Sequence, residues 1–235
     1  MYNWTYILLI LAFILALYAQ AKVRGSYNRF SKVGAACGLT GAQVARKILD
    51  QNGLYTVRVE KTQGVLSDHY DPRSHTVRLS PGIYGEPTIA AVAVAAHETG
   101  HAVQHADGYV PLKMRSAFAP VASFGSGAGP ILFFIGVIMG AGAEALAGTS
   151  VSSWLIMIGI YLFAFAVLFQ VITLPVEFNA SSKALSFLER DGVLVGAQEV
   201  KQARKMLSAA ALTYVAAALM AILQLVRFIL MSQRR

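Results

Sequence analysis

The sequence predicts an α-helical integral membrane protein with about four transmembrane helices and one small α+β domain. Three observations lead there. Mean hydropathy is +0.54, and 56% of the 235 residues are hydrophobic against 14% charged, too apolar for an ordinary soluble domain. Several apolar runs reach the roughly 20 residues that a helix needs to cross a bilayer. Between the first and second of these runs the chain turns polar, and its apolar spacing switches from helical to alternating and back.

The first run, Tyr6 to Tyr18, has Tyr2 and Trp4 before it and Lys22 and Arg24 after it. That is an aromatic belt and a basic flank around a membrane helix. A cleaved signal peptide would carry its basic residues ahead of the apolar core, so residues 1–24 are read as an anchor. Residues 25–129 form the polar domain. In it, Thr40-Gly41-Ala42-Gln43 is a capping-box pattern, with Val44, Ile48 and Leu49 on one helix face and Asn52-Gly53 as the stop. Leu54 to Glu60 alternates, with Tyr55, Val57 and Val59 on one side, and reads as a strand. A second strand is expected over Gly64 to Ser67. Asp71-Pro72-Arg73-Ser74 is a turn, and His75 to Ser80 a third strand.

The second span opens at Ile131 and ends near Ala147, and Trp154 to Leu174 is the third, so residues 130–175 hold both. Pro175 marks an end or a kink. Residues 176–206 are polar and helical, and 207–235 contain the fourth span, Ala209 to Met231. Lys and Arg are dense in the first polar domain and from Lys183 to Lys205, and absent from the N-terminus and the Gly148 loop. The positive-inside rule places both polar segments in the cytosol. Four spans leave Arg234 and Arg235 outside, a conflict that a re-entrant span would remove. The net charge of +8 follows from this topology, and the aromatic–basic clusters of a nucleic-acid reader are few. With Cys37 as the only cysteine, a disulfide framework and a cysteine zinc site are excluded.

The chemistry centres on Ala95-Ala96-His97-Glu98-Thr99-Gly100-His101, an HExxH pattern in an apolar helical run. Residues four apart lie on one helix face, so His97 and His101 can grip one metal ion. Glu98, turned about 100° from His97, can reach a water at that metal without being a ligand. Pro87 fits a first helical position. The plain alternative is a pair of core histidines. A catalytic zinc keeps three protein ligands, so a third must come from elsewhere. A metzincin continuation fails, because Gln104 and Asp107 stand where Gly and His would be. His105 lies one turn further along a straight helix. Glu177, in Leu174-Pro175-Val176-Glu177-Phe178-Asn179-Ala180-Ser181, sits where the third span meets the cytosolic segment and is the best candidate. Asp191 is the runner-up, and Glu144 lies on the wrong side.

Together, these residues resemble the neutral zinc metallopeptidases of the YugP type, which are bacterial membrane proteins. The resemblance is carried by Gly38-Leu39-Thr40-Gly41, Asp68-His69-Tyr70-Asp71-Pro72-Arg73, Val77-Arg78-Leu79-Ser80, Ala95 to His105, Gly108-Tyr109 and Leu174 to Ser181. More distantly the chain is similar to HtpX-type membrane peptidases, whose third ligand is a glutamate in an E-x-x-A-D helix. Glu177 and Ala180 match that pattern and Ser181 replaces the aspartate, leaving Asn179 or Ser181 to orient a zinc histidine.

The resemblance implies a zincin-like domain, a Zn2+ cofactor and a gluzincin-like metalloprotease acting on protein or peptide substrates. It also implies a multi-pass location in the bacterial inner (plasma) membrane with the catalytic domain cytosolic. His97, His101 and Glu177 would hold zinc, and Glu98 would serve as the general base. In zincins generally, a strand placed as His75 to Ser80 is placed here pairs with extended substrate. The oxyanion partner is open among His69, Tyr70, Arg73, His75, Tyr109 and Arg190. Two other readings are an intramembrane protease of the site-2 type and a catalytically silent zinc-binding scaffold. The first needs HExxH inside a full span, and the apolar run from Ile89 is too short for that. The second has no use for Glu98.

Overall fold

The computed structural model describes residues 3–141 and 150–233. Tyr2, Glu144, the loop at Gly148, Arg234 and Arg235 lie outside the described residues. Two compact units emerge. One comprises 1–16, 114–174 and 214–235, the other 17–113 and 175–213.

The first unit is built from long apolar helices. α1 (Asn3–Phe30), α5 (Val110–Ala141), α6 (Ser150–Arg190) and α7 (Gly196–Ser232) contribute to it. All four are long and apolar enough to cross a membrane, since roughly 20 residues suffice. Large apolar side chains such as Ile10, Phe13, Ile138 and Trp154 face outward, as lipid-facing residues do. α5 begins already at Val110 and runs through Pro120 and Pro130, well before the expected opening at Ile131. Membrane helices tolerate proline when neighbours satisfy the freed carbonyls. Glycines set the α5–α6 spacing. A Cβ at Gly129 would stand 3.0 Å from the Gly159 oxygen, and one at Gly159 would stand 2.7 Å from the Gly129 oxygen. Without those Cβ atoms the backbones can touch. Phe133 and Phe228 stack at 4.3 Å beside Ile156.

The second unit holds the polar domain. Here α2 (Gly41–Gln51) begins at Thr40, whose side chain and that of Gln43 close a reciprocal capping box. Val44 and Ile48 face one apolar cluster, Ala45 and Leu49 another. Three strands follow: β1 (Arg58–Lys61), β2 (His69–Asp71) and β3 (Thr76–Leu79). Their order is β1-β3-β2. β1 runs parallel to β3, pairing Arg58 with Thr76, and β2 runs antiparallel, pairing Asp71 with Thr76.

Two strand expectations need correction. Gly64 and Leu66 both have positive φ, so the chain bends over 64–67 and pairing begins only at His69. Leu54 and Val57 do not extend the first strand as expected. Their carbonyls accept hydrogen bonds from Arg46 at 2.9 and 2.6 Å, and Tyr55 is exposed. The turn at Asp71 is as expected. Asp71 accepts from Ser74 Oγ at 2.6 Å, Arg73 N–H at 3.0 Å and Arg78 at 3.0 Å.

After the short α3 (Pro81–Tyr84) comes α4 (Ile89–Ala106). It divides the unit. Ala90, Val92, Ala93 and Ala96 pack into the cluster shared with Ala184, Leu188 and Met206. Ala91, Ala95 and Ala102 pack into the one shared with Val77, Leu79 and Ile83. Small side chains on both faces let α4 sit among neighbours on every side. Thr88 caps α4, its Oγ1 accepting from Ala91 N–H at 3.2 Å. Pro87 therefore precedes the cap instead of opening the helix. Its carbonyl accepts from Ala35 N–H at 2.9 Å. The polar segment after Pro175 divides between two helices: α6 runs through Pro175 to Arg190, and α7 opens at Gly196.

Candidate metal centre

α4 supplies His97, Glu98, His101 and Gln104, while α6 supplies Glu177, Asn179, Ala180 and Ser181. The two helices approach closely at one point. A Cβ on Gly100 would lie 2.9 Å from the Ala180 carbonyl oxygen, so only glycine admits this contact without a shift. Glu177 lies one turn before Ala180 and so comes level with the two histidines.

Glu177 Oε2 lies 3.2 Å from His97 Nε2 and 3.6 Å from His101 Nε2. One donor atom from each residue falls within a 4.8 Å group. Zinc bonds of about 2.0–2.1 Å in tetrahedral array separate ligand atoms by about 3.3 Å, so this donor set fits zinc. Two neutral imidazoles and one carboxylate leave a dication with one net positive charge. Burial surrounds the group: Glu177 is 2% exposed and His101 9%.

The far side of each imidazole is held as well. Gln104 Oε1 is 3.0 Å from His101 Nδ1, and Ser181 Oγ is 3.2 Å from His97 Nδ1. With Nδ1 carrying the proton toward Gln104, Nε2 of His101 is left to face Glu177. Gln104 is fully buried. Its amide donates to the Val176 carbonyl at 2.8 Å and to Asn179 Oδ1 at 2.9 Å. Asn179 thus reaches His101 only through Gln104, whereas Ser181 contacts His97 itself. Burial alone would push the His101 pKa down, but the adjoining Glu177 carboxylate and the more distant Glu98 charge leave it raised.

Glu98 is half-buried and makes no hydrogen bond or ion pair among the described residues. Its charge reaches Asp68, whose carboxyl is pushed up by burial and further by Glu98. Asp68 is tied down by Ser80, through N–H at 2.7 Å and Oγ at 3.1 Å.

The remaining candidates have other partners. Asp191 pairs with Arg190 at 2.7 Å in the α6–α7 turn and is not in the three-residue group. His105 Nδ1 meets Tyr70 OH at 2.9 Å, and its ring lies 5.3 Å from that of His75. Burial, with His75 and Lys113 nearby, lowers its pKa. His69 Nδ1 contacts the Ser67 carbonyl at 2.8 Å. Tyr109 OH donates to the Pro175 carbonyl at 3.5 Å, and Arg73 gives its backbone N–H to Asp71. The expectation that the strand His75 to Ser80 pairs with substrate is overturned. β3 is central, with β1 and β2 on its two edges, so its main-chain groups are already spent.

The sequence alone names Gln104 and Asp68 but assigns neither a role at the site. Gln104 had a signal: it is a polar residue three positions from His101, on the same face of an apolar helix. Asp68 sits in an irregular segment, and its signal is its place at the head of the Asp68-His69-Tyr70-Asp71-Pro72-Arg73 stretch.

Four membrane-length helices and a buried His/His/Glu group of zinc spacing define the class of helical membrane proteins with a zinc centre. The comparisons narrow this. Residues 5–233 match the family model described as "Putative neutral zinc metallopeptidase", and the chain belongs to that family. It is similar to "Putative membrane protease YugP" of Bacillus subtilis (strain 168), with 48% identity over 223 residues, 95% of this chain and 94% of the relative. No solved structure matches it.

Proposed function

We propose that the chain is a zinc-dependent endopeptidase of the bacterial plasma membrane, gluzincin-like, with its active site facing the cytosol. One observation carries this reading: a buried glutamate 80 residues down the chain lies 3.2 Å from His97, on the side that completes a three-donor zinc set. His97, His101 and Glu177 would hold the metal. Zinc there would supply a Lewis acid for a peptide carbonyl and for water.

The residues of the chain do the rest. Glu98, unpaired and half-buried, takes a proton on its carboxylate as water attacks the carbonyl carbon. It delivers that proton to the nitrogen as the C–N bond breaks. Gln104 and Ser181 hold the two imidazoles in one orientation. The Tyr70–His105 pair stands between β2 and α4, and β2 has an outer edge where extended backbone can pair, favouring loose sequence specificity. The cytosolic orientation is supported by the concentration of Lys and Arg in the polar segments.

The test uses the full chain purified in detergent. Glu98→Gln should keep one zinc per chain and lose peptide cleavage. Glu177→Ala should lose the zinc itself. Cleavage by the first variant would falsify the base, and unchanged zinc stoichiometry in the second would remove Glu177 from the centre.

A further inference from the structure

A cavity of about 700 Å³ opens in the second unit between α1 and α7, away from the His/Glu centre. Lys22 and Arg29 line it from α1, and Lys201, Arg204 and Lys205 from α7, with Phe30 on its wall. Among the described residues no acidic side chain lines it. All five cations are exposed, and among the described residues none has a carboxylate within ion-pair distance. Lys22 lies over the ring of Tyr18 and Arg29 over that of Phe30. The nearest acid on α7, Glu199, is committed to the backbone N–H groups of Ala36 and Val195, at 2.8 and 2.6 Å. Five like charges around one opening repel each other and lower the stability of the empty protein unless an anion enters.

The position along each helix says which anion. On α1 the outward apolar run ends at Leu17 and Tyr18, both more than half exposed, and Lys22 follows one turn later. On α7 the apolar run begins at Ala209, one turn after Lys205. The cavity mouth therefore coincides, on both helices, with the change from lipid-facing to charged residues. That is the level at which phospholipid phosphates lie, and basic pockets between membrane helices at this level suit anionic headgroups. Leu17 and Tyr18 offer adjoining apolar surface for an acyl chain. A free phosphate would use the cations but not that surface.

We propose that this cavity is a binding site for the phosphate headgroup of an anionic phospholipid. The test is native mass spectrometry of the full chain in neutral detergent, with phosphatidylglycerol or phosphatidylcholine added. One phosphatidylglycerol should bind at concentrations where phosphatidylcholine does not. Arg29→Gln, Lys201→Gln and Arg204→Gln together should weaken it about a hundredfold, at roughly fivefold per juxtamembrane charge. Removing equal charge from the sheet and its β2–β3 turn, by Arg58→Gln, Lys61→Gln and Arg73→Gln, should change it less than threefold.

Equal binding of the two lipids overturns the proposal on the unaltered chain, whatever the variants do. So does equal loss in both triple variants, which would mean bulk charge alone. Displacement of the lipid by millimolar orthophosphate would assign the site to a soluble anion instead.

Discussion

Replacing Gln104 with Met removes polar groups from behind the metal centre while keeping volume and helix propensity. Three hydrogen bonds are lost: one to His101 Nδ1 and two to α6. Each is worth about 0.5–1.5 kcal/mol net. Asn179 is half-buried and can turn to water, and the Val176 carbonyl keeps its bond within α6, but the buried His101 Nδ1–H is left without an acceptor. An orphaned buried donor costs about 1–3 kcal/mol. The variant should therefore lose about 2–4 kcal/mol of stability.

The part that acts on His101 should weaken zinc binding about 10–100-fold, as loss of a partner behind a metal ligand does. Chelator competition on the purified chain at neutral pH reads the affinity, and thermal unfolding with and without zinc reads the stability. Gln104→Glu is the control. It keeps an acceptor for the His101 N–H and loses the donor to α6, so it should retain more zinc affinity than the Met variant. Zinc affinity within twofold of the unaltered protein in Gln104→Met would refute the claim that this amide orients the imidazole.

Gly100→Ala pushes a Cβ to 2.9 Å from the Ala180 carbonyl. Relief by helix separation costs about 1–3 kcal/mol, so stability and zinc affinity should fall together, read by thermal unfolding and chelator competition. Gly159→Val should lower the melting temperature by crowding the Gly129 carbonyl and Phe133 N–H, both 2.7 Å from a Cβ there. Zinc stoichiometry, measured by elemental analysis, should stay at one. Asp71 is held well below the usual carboxylate range, first by Ser74, then by Arg78 and the Arg73 N–H. A depressed pKa gives stability that is full above the unfolded value of about 3.9 and is lost as pH falls through the folded one. The melting difference between the unaltered chain and Asp71→Asn should thus be constant above about pH 5 and shrink below pH 4. An equal difference at pH 3 would refute the assignment.

The sequence carried the membrane class and the active helix because both are periodic signals of high amplitude. Four apolar runs need no tertiary information to be read. The α2 cap was legible for the same reason, since Thr40 and Gln43 satisfy each other locally. The sheet was legible only in part. Its strands run to no more than four residues, and the positive φ at Gly64 and Leu66 decides where pairing starts. Nothing in residue type announces a left-handed leucine. The central place of β3 is a matter of strand order, which alternation along one strand does not encode. Gln104 shows a different limit. Its polarity was visible, but its two partners on α6 lie more than 70 residues away.

The spacing of the two halves of the centre follows from one packing geometry. On α4, positions 97, 100, 101 and 104 share a face and read His, Gly, His, Gln. On α6, positions 177, 180 and 181 share a face and read Glu, Ala, Ser. Where the helices touch, the glycine meets the alanine backbone. One turn earlier on α6 the carboxylate meets both imidazoles, and next to the alanine the serine meets His97. The three-residue interval between Glu177 and Ala180 and that between His97 and Gly100 are therefore one constraint seen from two helices. A carboxylate at 176 or 178 would leave the contact face, and 178 is in fact an exposed phenylalanine. This explains why Asp191, though acidic and in the same polar segment, is no substitute: it lies past the end of α6, where no helix face presents it to α4.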